Sequence, residues 1–255
     1  MKKKFKAFYL LISSVFITII HLPFAFGKST FNHLRDAADS VTRVVTMEDS
    51  LTRLMPVAPV KSVYDSLHLE IAGLSRQAFE YAQKGWRKLM QQGKLLNGSI
   101  IAIIDFSRPS SEKRLFVLDM ENYEVLHNSL VAHGRNSGKE MATSFSNQPS
   151  SYKSSPGFYI TGDTYQGSNG YSLKLQGLEY GINDKAYRRA IVMHGAAYVD
   201  ESYIQSQGYI GRSQGCPAVP QEEARDIINT LRNGTCLFIY SPDKRYLSRS
   251  SLLRG

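Results

Sequence analysis

A cysteine stands between a glycine and a proline in the run "GRSQGCPAVP", residues 211–220. Neither neighbour suits a packed thiol. Gly215 brings no side chain, so a substrate can approach the backbone, and Pro217 biases Cys216 toward an extended conformation. A sulfur placed so is suited to attack a carbonyl carbon. Pro217 has no N–H, so an oxyanion hole at this turn must use the N–H of Cys216, with that of Gly215 or Gln214 beside it. The expected nucleophile is a sulfur ionised and open to solvent.

Such a thiol needs a base. Of six histidines, His21 lies in an N-terminal apolar run, His33 and His68 precede the β-rich region, and His127 falls inside a strand. His133 and His194 each end an apolar run and precede a glycine, in "VAHG" and "VMHG". A strand exit beside a flexible residue holds a ring firmly and turns it to a cleft. His194 is nearer to Cys216 in sequence and follows the stronger strand. It is read as the base, with His133 as a wall residue in contact with substrate. The bland alternative for either is a structural ring bonded to a backbone carbonyl. Arg135 and Arg212 could fork onto a carboxylate, although solvated loop arginines are commoner.

Cys236, in the apolar run "TCLFIY", reads as a small packed hydrophobe, which leaves both thiols free. His133, His194 and Cys216 could in principle hold zinc. The sequence has no HxxH, HExxH or CxxC spacing, so no metal and no organic cofactor is expected.

The elements that must position these groups follow from the apolar pattern. Leu67, Ile71, Leu74, Ala78, Ala82 and Trp86 recur three or four residues apart, which predicts a helix from Val63 to Gln92 within a helical segment at 61–96. The period then changes to strands. "SIIAIIDF" (99–106), "KRLFVLDM" (113–120) and "EVLHNSLVAH" (124–133) predict an antiparallel meander. "SSPGFYITGDTY" (154–165) and "YSLKLQGL" (171–178) predict a hairpin, and "RAIVMHG" (189–195) a short strand. "PQEEARDIINTLRNG" (220–234) predicts a helix with Pro220 in its first turn and Gly234 at its stop. "TCLFIYSPD" closes a mainly β region at 97–243, and the basic, Ser/Leu-rich tail 244–255 is expected to fray.

The first residues differ from the rest. "MKKKFK", the uncharged run "AFYLLISSVFITIIHLPFAF" and the small residues Ala25 and Gly27 form a signal-peptide pattern over 1–27. The other reading is an uncleaved membrane anchor. Residues 28–60 form a linker or extension, with "MPVAPV" at 55–60. Lys2, Lys3, Lys4 and Lys6 supply four of the nine net positive charges, so removal of the signal leaves +5. No Lys/Arg-rich run or aromatic-basic stripe points to nucleic acid.

The segment "HGAAYVDESYIQSQGYIGRSQGCPAV" resembles the catalytic segment of the L,D-transpeptidases, the YkuD-type domain. That family carries a histidine, an interval, then Ser/Thr-His-Gly-Cys, a hydrophobic residue and Asn. His194 matches the first histidine, Ser213 the Ser/Thr, Gly215 the glycine and Cys216 the nucleophile. The interval is slightly long, Gln214 replaces the second histidine, and Ala218 replaces the asparagine. Those departures resemble the murein L,D-transpeptidase branch, where Gly-Cys-Pro-Ala-Val is usual. The upstream runs "LVAHGRNSG", "SSPGFY" and "GLEYGINDKAYRRAIVMHGA" are similar to that branch too, so the likeness covers about residues 60–242.

The resemblance implies a YkuD-like β-sandwich or barrel with flanking helices. It implies cysteine-dependent acyl transfer on peptidoglycan stem peptides, with the carbonyl of Gly195 fixing the His194 tautomer and Ser213 bonding within the site. Gln214 takes the place of a residue that handles the acceptor. It also implies acylation of Cys216 by carbapenems, and residence in the periplasm or facing the wall. Two rivals stay open: an L,D-carboxypeptidase, if water replaces the acceptor amine, and an inactive wall-binding protein.

Overall fold

The computed structural model describes residues 62–254. The signal pattern at 1–27 and the linker at 28–60 lie outside the described residues. Three helices open the described chain: α1 (Val63–Ser66), α2 (Leu69–Ala72) and α3 (Arg76–Gln91). The single helix expected over Val63–Gln92 is broken because His68 and Gly73 take left-handed backbone conformations, φ 51° and 92°. The interruption turns Ile71 outward, 85% exposed, while Leu67, Leu69 and Leu74 stay buried. The Ser75 hydroxyl caps α3 by accepting the Ala78 N–H at 3.3 Å.

Eight strands follow: β1 (Asn97–Asp105), β2 (Leu115–Asp119), β3 (Glu124–Ser129), β4 (Gly157–Gly167), β5 (Gly170–Gly177), β6 (Val192–Ala196), β7 (Ala218–Pro220) and β8 (Thr235–Tyr240). They form one sheet in the order β3-β2-β1-β8-β4-β5-β6-β7. The meander and the β4–β5 hairpin pair antiparallel, as expected. The last strand, β8, enters the middle of the sheet, parallel to β1 and antiparallel to β4.

β1 and β8 are apolar on both faces because both faces are covered. On one, Ile101, Ile103, Phe158 and Phe238 pack against Ala78, Phe79, Ala82 and Leu89 of α3. On the other, Ala102, Ile104, Leu237 and Ile239 share a core with Ile227, Ile228 and Leu231 of α5 (Ala224–Leu231), which follows the short helix α4 (Glu201–Gln207). The expected helix 220–234 is shorter than its pattern: Pro220 pairs with Ala196 inside β7, and Gly234, φ 89°, turns the chain into β8.

The sheet is nearly closed. Beyond β3 the chain crosses to the opposite edge, where Ala132 bridges Ala218 and Gly134 bridges Ser213. The seam thus joins the "VAHG" segment to the cysteine turn.

Residues 244–254 do not fray. Asp243 caps α6 (Lys244–Arg249) by accepting the Arg245 N–H at 2.8 Å. Tyr246, Leu252 and Leu253 are buried against the α3 face. The Ser250 hydroxyl and the Tyr246 phenol donate to the buried carboxylate of Glu179, which also accepts the Phe158 N–H at 2.9 Å. Two apolar side chains and two donors aimed at one buried acid hold a segment whose composition alone suggested solvent. Among the described residues no helix is long and apolar enough to cross a membrane.

Candidate active site

Strands β6 and β7 run parallel with His194 opposite Ala218. Cys216 lies in the bend two residues before Ala218, where the chain turns into β7. The Cys216 thiol donates to the Ala190 carbonyl at 3.7 Å. The Val192 N–H meets the sulfur from β6.

His194 is 5% exposed. Its Nδ1 lies 2.9 Å from the Gly195 carbonyl. A carbonyl only accepts, so Nδ1 carries the hydrogen and Nε2 keeps a lone pair. Burial, the larger influence, holds the imidazole pKa below its usual value against the opposing pull of that carbonyl. The ring is neutral near pH 7. Gly195 has a second constraint: a Cβ there would stand 2.8 Å from the Cβ of Ala224, so α5 packs directly on this strand.

The cysteine turn is locked from inside. Ser213 Oγ donates to the Cys216 carbonyl at 2.6 Å and accepts the Gly215 N–H at 3.0 Å. That bond commits the Gly215 N–H and leaves the Cys216 and Gln214 N–H groups as the oxyanion donors the turn can offer. Gly215 has φ 121°, and a Cβ there would lie 2.8 Å from the Lys153 carbonyl. The Ser154 hydroxyl ties the seam together, accepting the Gly134 N–H at 3.0 Å and donating to the Gly215 carbonyl at 3.3 Å.

These groups open on a cleft of about 880 Å³ whose lining includes Cys216, His194, Arg135, Arg189, Arg212 and Gln214, with no carboxylate among the described lining residues. Arg135 is exposed, its guanidinium 4.0 Å above the Tyr152 ring. Arg212 Nη1 donates to the carbonyls of Arg135, at 3.3 Å, and Gly138, at 3.1 Å. Gln214 is exposed at the mouth.

His133 is not on the cleft wall. It is fully buried, with Nδ1 2.8 Å from Nη2 of the equally buried Arg114. Facing a guanidinium, Nδ1 must accept, so the ring is neutral. Burial first and the Arg114 charge second push its pKa down to about 4. The two His-Gly exits look alike in sequence, but the seam folds the first over an arginine and the second over the cleft.

The sulfur also differs from expectation. Cys216 is half-buried rather than open to solvent. Burial pushes the thiol pKa up, with the Val192 N–H and the Arg189 charge opposing. A protonated thiol turned to the Ala190 carbonyl and a neutral imidazole lining the same cleft are the resting state these surroundings favour. That arrangement can do general-base chemistry, with proton transfer accompanying attack. Cys236 is free as well and fully buried. Among the described residues no three His, Cys, Asp or Glu side chains gather as a metal ion would require.

Two further residues line the cleft, Tyr198 and Arg189. The Tyr198 phenol is pushed up to about 12 by burial and by the negative charge that Cys216 carries when ionised. Arg189 Nη1 donates to the Ser146 carbonyl at 2.8 Å and to Ser155 Oγ at 2.6 Å. Its Nη2 donates to Ser151 Oγ at 3.2 Å and to the Lys153 carbonyl at 2.6 Å. Ser150, Tyr152 and Ala190 beside it all have φ 54°, a left-handed conformation that costs about 1–3 kcal/mol per non-glycine residue and clusters at functional sites. Arg189 sits in "AYRRA", where nothing distinguishes it from Arg188; its partners lie far back in the chain.

The model of the L,D-transpeptidase catalytic domain matches residues 70–240, and the chain belongs to that family. Among solved structures it is similar to an L,D-transpeptidase from Mycobacterium tuberculosis, at 13% identity over 56% of this chain and 58% of that one, TM-score 0.37. It is also similar to L,D-transpeptidase 3 of that organism in complex with a faropenem-derived adduct, at 12% identity over 56% and 60%, TM-score 0.36. A third is the helical cell shape determining protein Pgp2 from Campylobacter jejuni, at 14% identity over 67% and 58%, TM-score 0.37. The match spans less than two thirds of each of these solved chains. No curated protein matches the chain.

Proposed function

We propose that the protein is a cysteine-dependent acyltransferase acting on peptidoglycan stem peptides. The observation that carries the reading is the His194 Nδ1–Gly195 carbonyl bond, which leaves Nε2 unprotonated in the cleft that Cys216 lines. Cys216 Sγ attacks the carbonyl that follows the diamino acid while Nε2 of His194 takes the thiol proton. The oxyanion faces the Cys216 N–H. Collapse breaks the C–N bond, His194 returns the proton to the departing terminal D-alanine, and a thioester remains. An amine of a neighbouring stem then attacks the thioester, its proton passing through His194, and the thiol is regenerated.

Arg135 and Arg212 receive stem carboxylates at the mouth, a reading supported by the absence of acids from the described lining. Ser213 and Gly215 shape the turn that presents the sulfur. Secretion to a wall-facing compartment suits this substrate and accords with the signal pattern at 1–27.

Purified protein given tetrapeptide-bearing muropeptides tests the reading. Crosslinked dimers with release of D-alanine are the expected products, abolished by Cys216→Ala. Tripeptide monomers alone would make the enzyme an L,D-carboxypeptidase. Wild-type turnover by Cys216→Ala would end the cysteine mechanism. Carbapenem treatment followed by intact mass is a second check, with one adduct on Cys216 expected.

A further inference from the structure

Arg189 spans two pieces of the cleft that the chain makes separately. On one side its four hydrogen bonds reach Ser146, Ser151, Lys153 and Ser155, a wall segment containing the left-handed Ser150 and Tyr152. On the other, Nη2 lies 3.3 Å from where a Gly215 Cβ would stand, directly beside the cysteine turn. The next residue, Ala190, is itself left-handed and offers the carbonyl that the Cys216 thiol meets. Three non-glycine residues in unfavourable conformations persist only where their surroundings over-determine them. Arg189 bonds four residues of this wall, and the Ser154 hydroxyl ties the same wall to the Gly215 carbonyl.

We propose that Arg189 is a positioning residue for the acyl transfer: it clamps the strained wall 146–155 and the cysteine turn into one arrangement and sets a fixed positive charge beside the sulfur. The proposal rests on Cys216 being the nucleophile. Hydrogen bonding to carbonyls and hydroxyls, without a carboxylate partner, leaves the guanidinium charge uncompensated within the cleft. The ionised sulfur favours the charged form of Arg189 and is favoured by it in return. The other titratable groups lining the same cleft are His194 of β6, Tyr198 beyond it, and Arg135, Tyr152 and Arg212 toward the mouth. Of these, Arg189 is the cation whose charge acts on the sulfur. An arginine is required because two parallel edges of the fork are in use, which an ammonium cannot reproduce.

The full-length protein carries the test through Arg189→Gln, Arg189→Lys and, as a control of equal charge change, Arg188→Gln at the exposed neighbour. Two quantities are read: the pH midpoint of Cys216 alkylation by iodoacetamide, and kcat and KM on tetrapeptide muropeptides. Arg189→Gln is expected to raise the alkylation midpoint by about one pH unit. It should lower kcat about 10–100-fold with little change in KM, as misplacement of a nucleophile does. Arg189→Lys should restore the midpoint but not kcat, and Arg188→Gln should change neither. A wild-type midpoint and wild-type kcat in Arg189→Gln overturn the proposal. If that variant does not fold, Arg189→Lys and Ser155→Ala decide: wild-type kcat in both overturns it equally. Should the wild-type protein itself transfer no acyl group, the acyltransferase reading fails, while the alkylation midpoints still report on the clamp.

Discussion

Deleting residues 244–255 tests how far the C-terminus belongs to the fold. The deletion removes Tyr246, Leu252 and Leu253, which are 4%, 6% and 6% exposed. Each such side chain stabilises by about 1.5–3 kcal/mol when buried, so the three contribute roughly 5–9 kcal/mol. It also strips two of the three donors from the Glu179 carboxylate, leaving the Phe158 N–H. An under-bonded buried acceptor costs about 1–3 kcal/mol more. A domain of this size is stable by about 5–15 kcal/mol. The truncated chain is therefore expected to lose its cooperative thermal transition, followed by circular dichroism or calorimetry at neutral pH. The graded version is Ser250→Ala, which removes one donor. A loss of about 1–3 kcal/mol lowers Tm by roughly 2–12 °C at this chain length. A truncated protein that melts cooperatively within a few degrees of the full chain would refute the reasoning.

Glu179 supplies a related test. Burial raises its pKa above the usual carboxylate value despite its three donors. Its contribution is thus fully present below the unfolded pKa and is lost as pH rises through the folded one. Glu179→Gln should gain on the wild type in Tm as pH increases from 4 to 8. His133 works in the opposite direction: pushed down to about 4, it binds its proton more readily in the unfolded chain. Stability should fall by roughly 3 kcal/mol between pH 6.5 and 4 on its account, and His133→Gln should flatten the acid slope of Tm. Gly195→Ala places a methyl 2.8 Å from Ala224 and 3.1 Å from Gln221. Overpacking of about 1–3 kcal/mol should appear as a lower Tm, with reduced kcat because the His194 anchor shifts. The depressed His194 pKa predicts an acid limb of kcat/KM below the ordinary imidazole range, read from a pH–rate profile.

The strands were legible because their apolar runs are long and their separators are strong turn formers. β1 and β8 read as continuous apolar segments since helices cover both of their faces. What the runs could not reveal is their order. Insertion of β8 between β1 and β4 and closure of the seam through Ala132 and Gly134 are pairings between distant residues. Cys216 stood out through Gly215 and Pro217, and His194 through its strand exit. His133 carries the same local signature and was misassigned, because the deciding group, Arg114, is nineteen positions away. Arg189 had no signature, since serine hydroxyls and backbone carbonyls leave no pattern in the chain. The C-terminal tail misled because Leu252 and Leu253 have no period; the core they share with Tyr246 and α3 buries them.

The second thiol gives this protein a property of practical use. Cys236 is fully enclosed between helix and sheet, and burial pushes its pKa far up, so a reagent added to the native molecule meets one reactive sulfur. A fluorophore delivered under native conditions reports on the cleft alone. A second equivalent is taken up only when the sheet comes apart, so counting labels per chain turns the molecule into its own gauge of global opening.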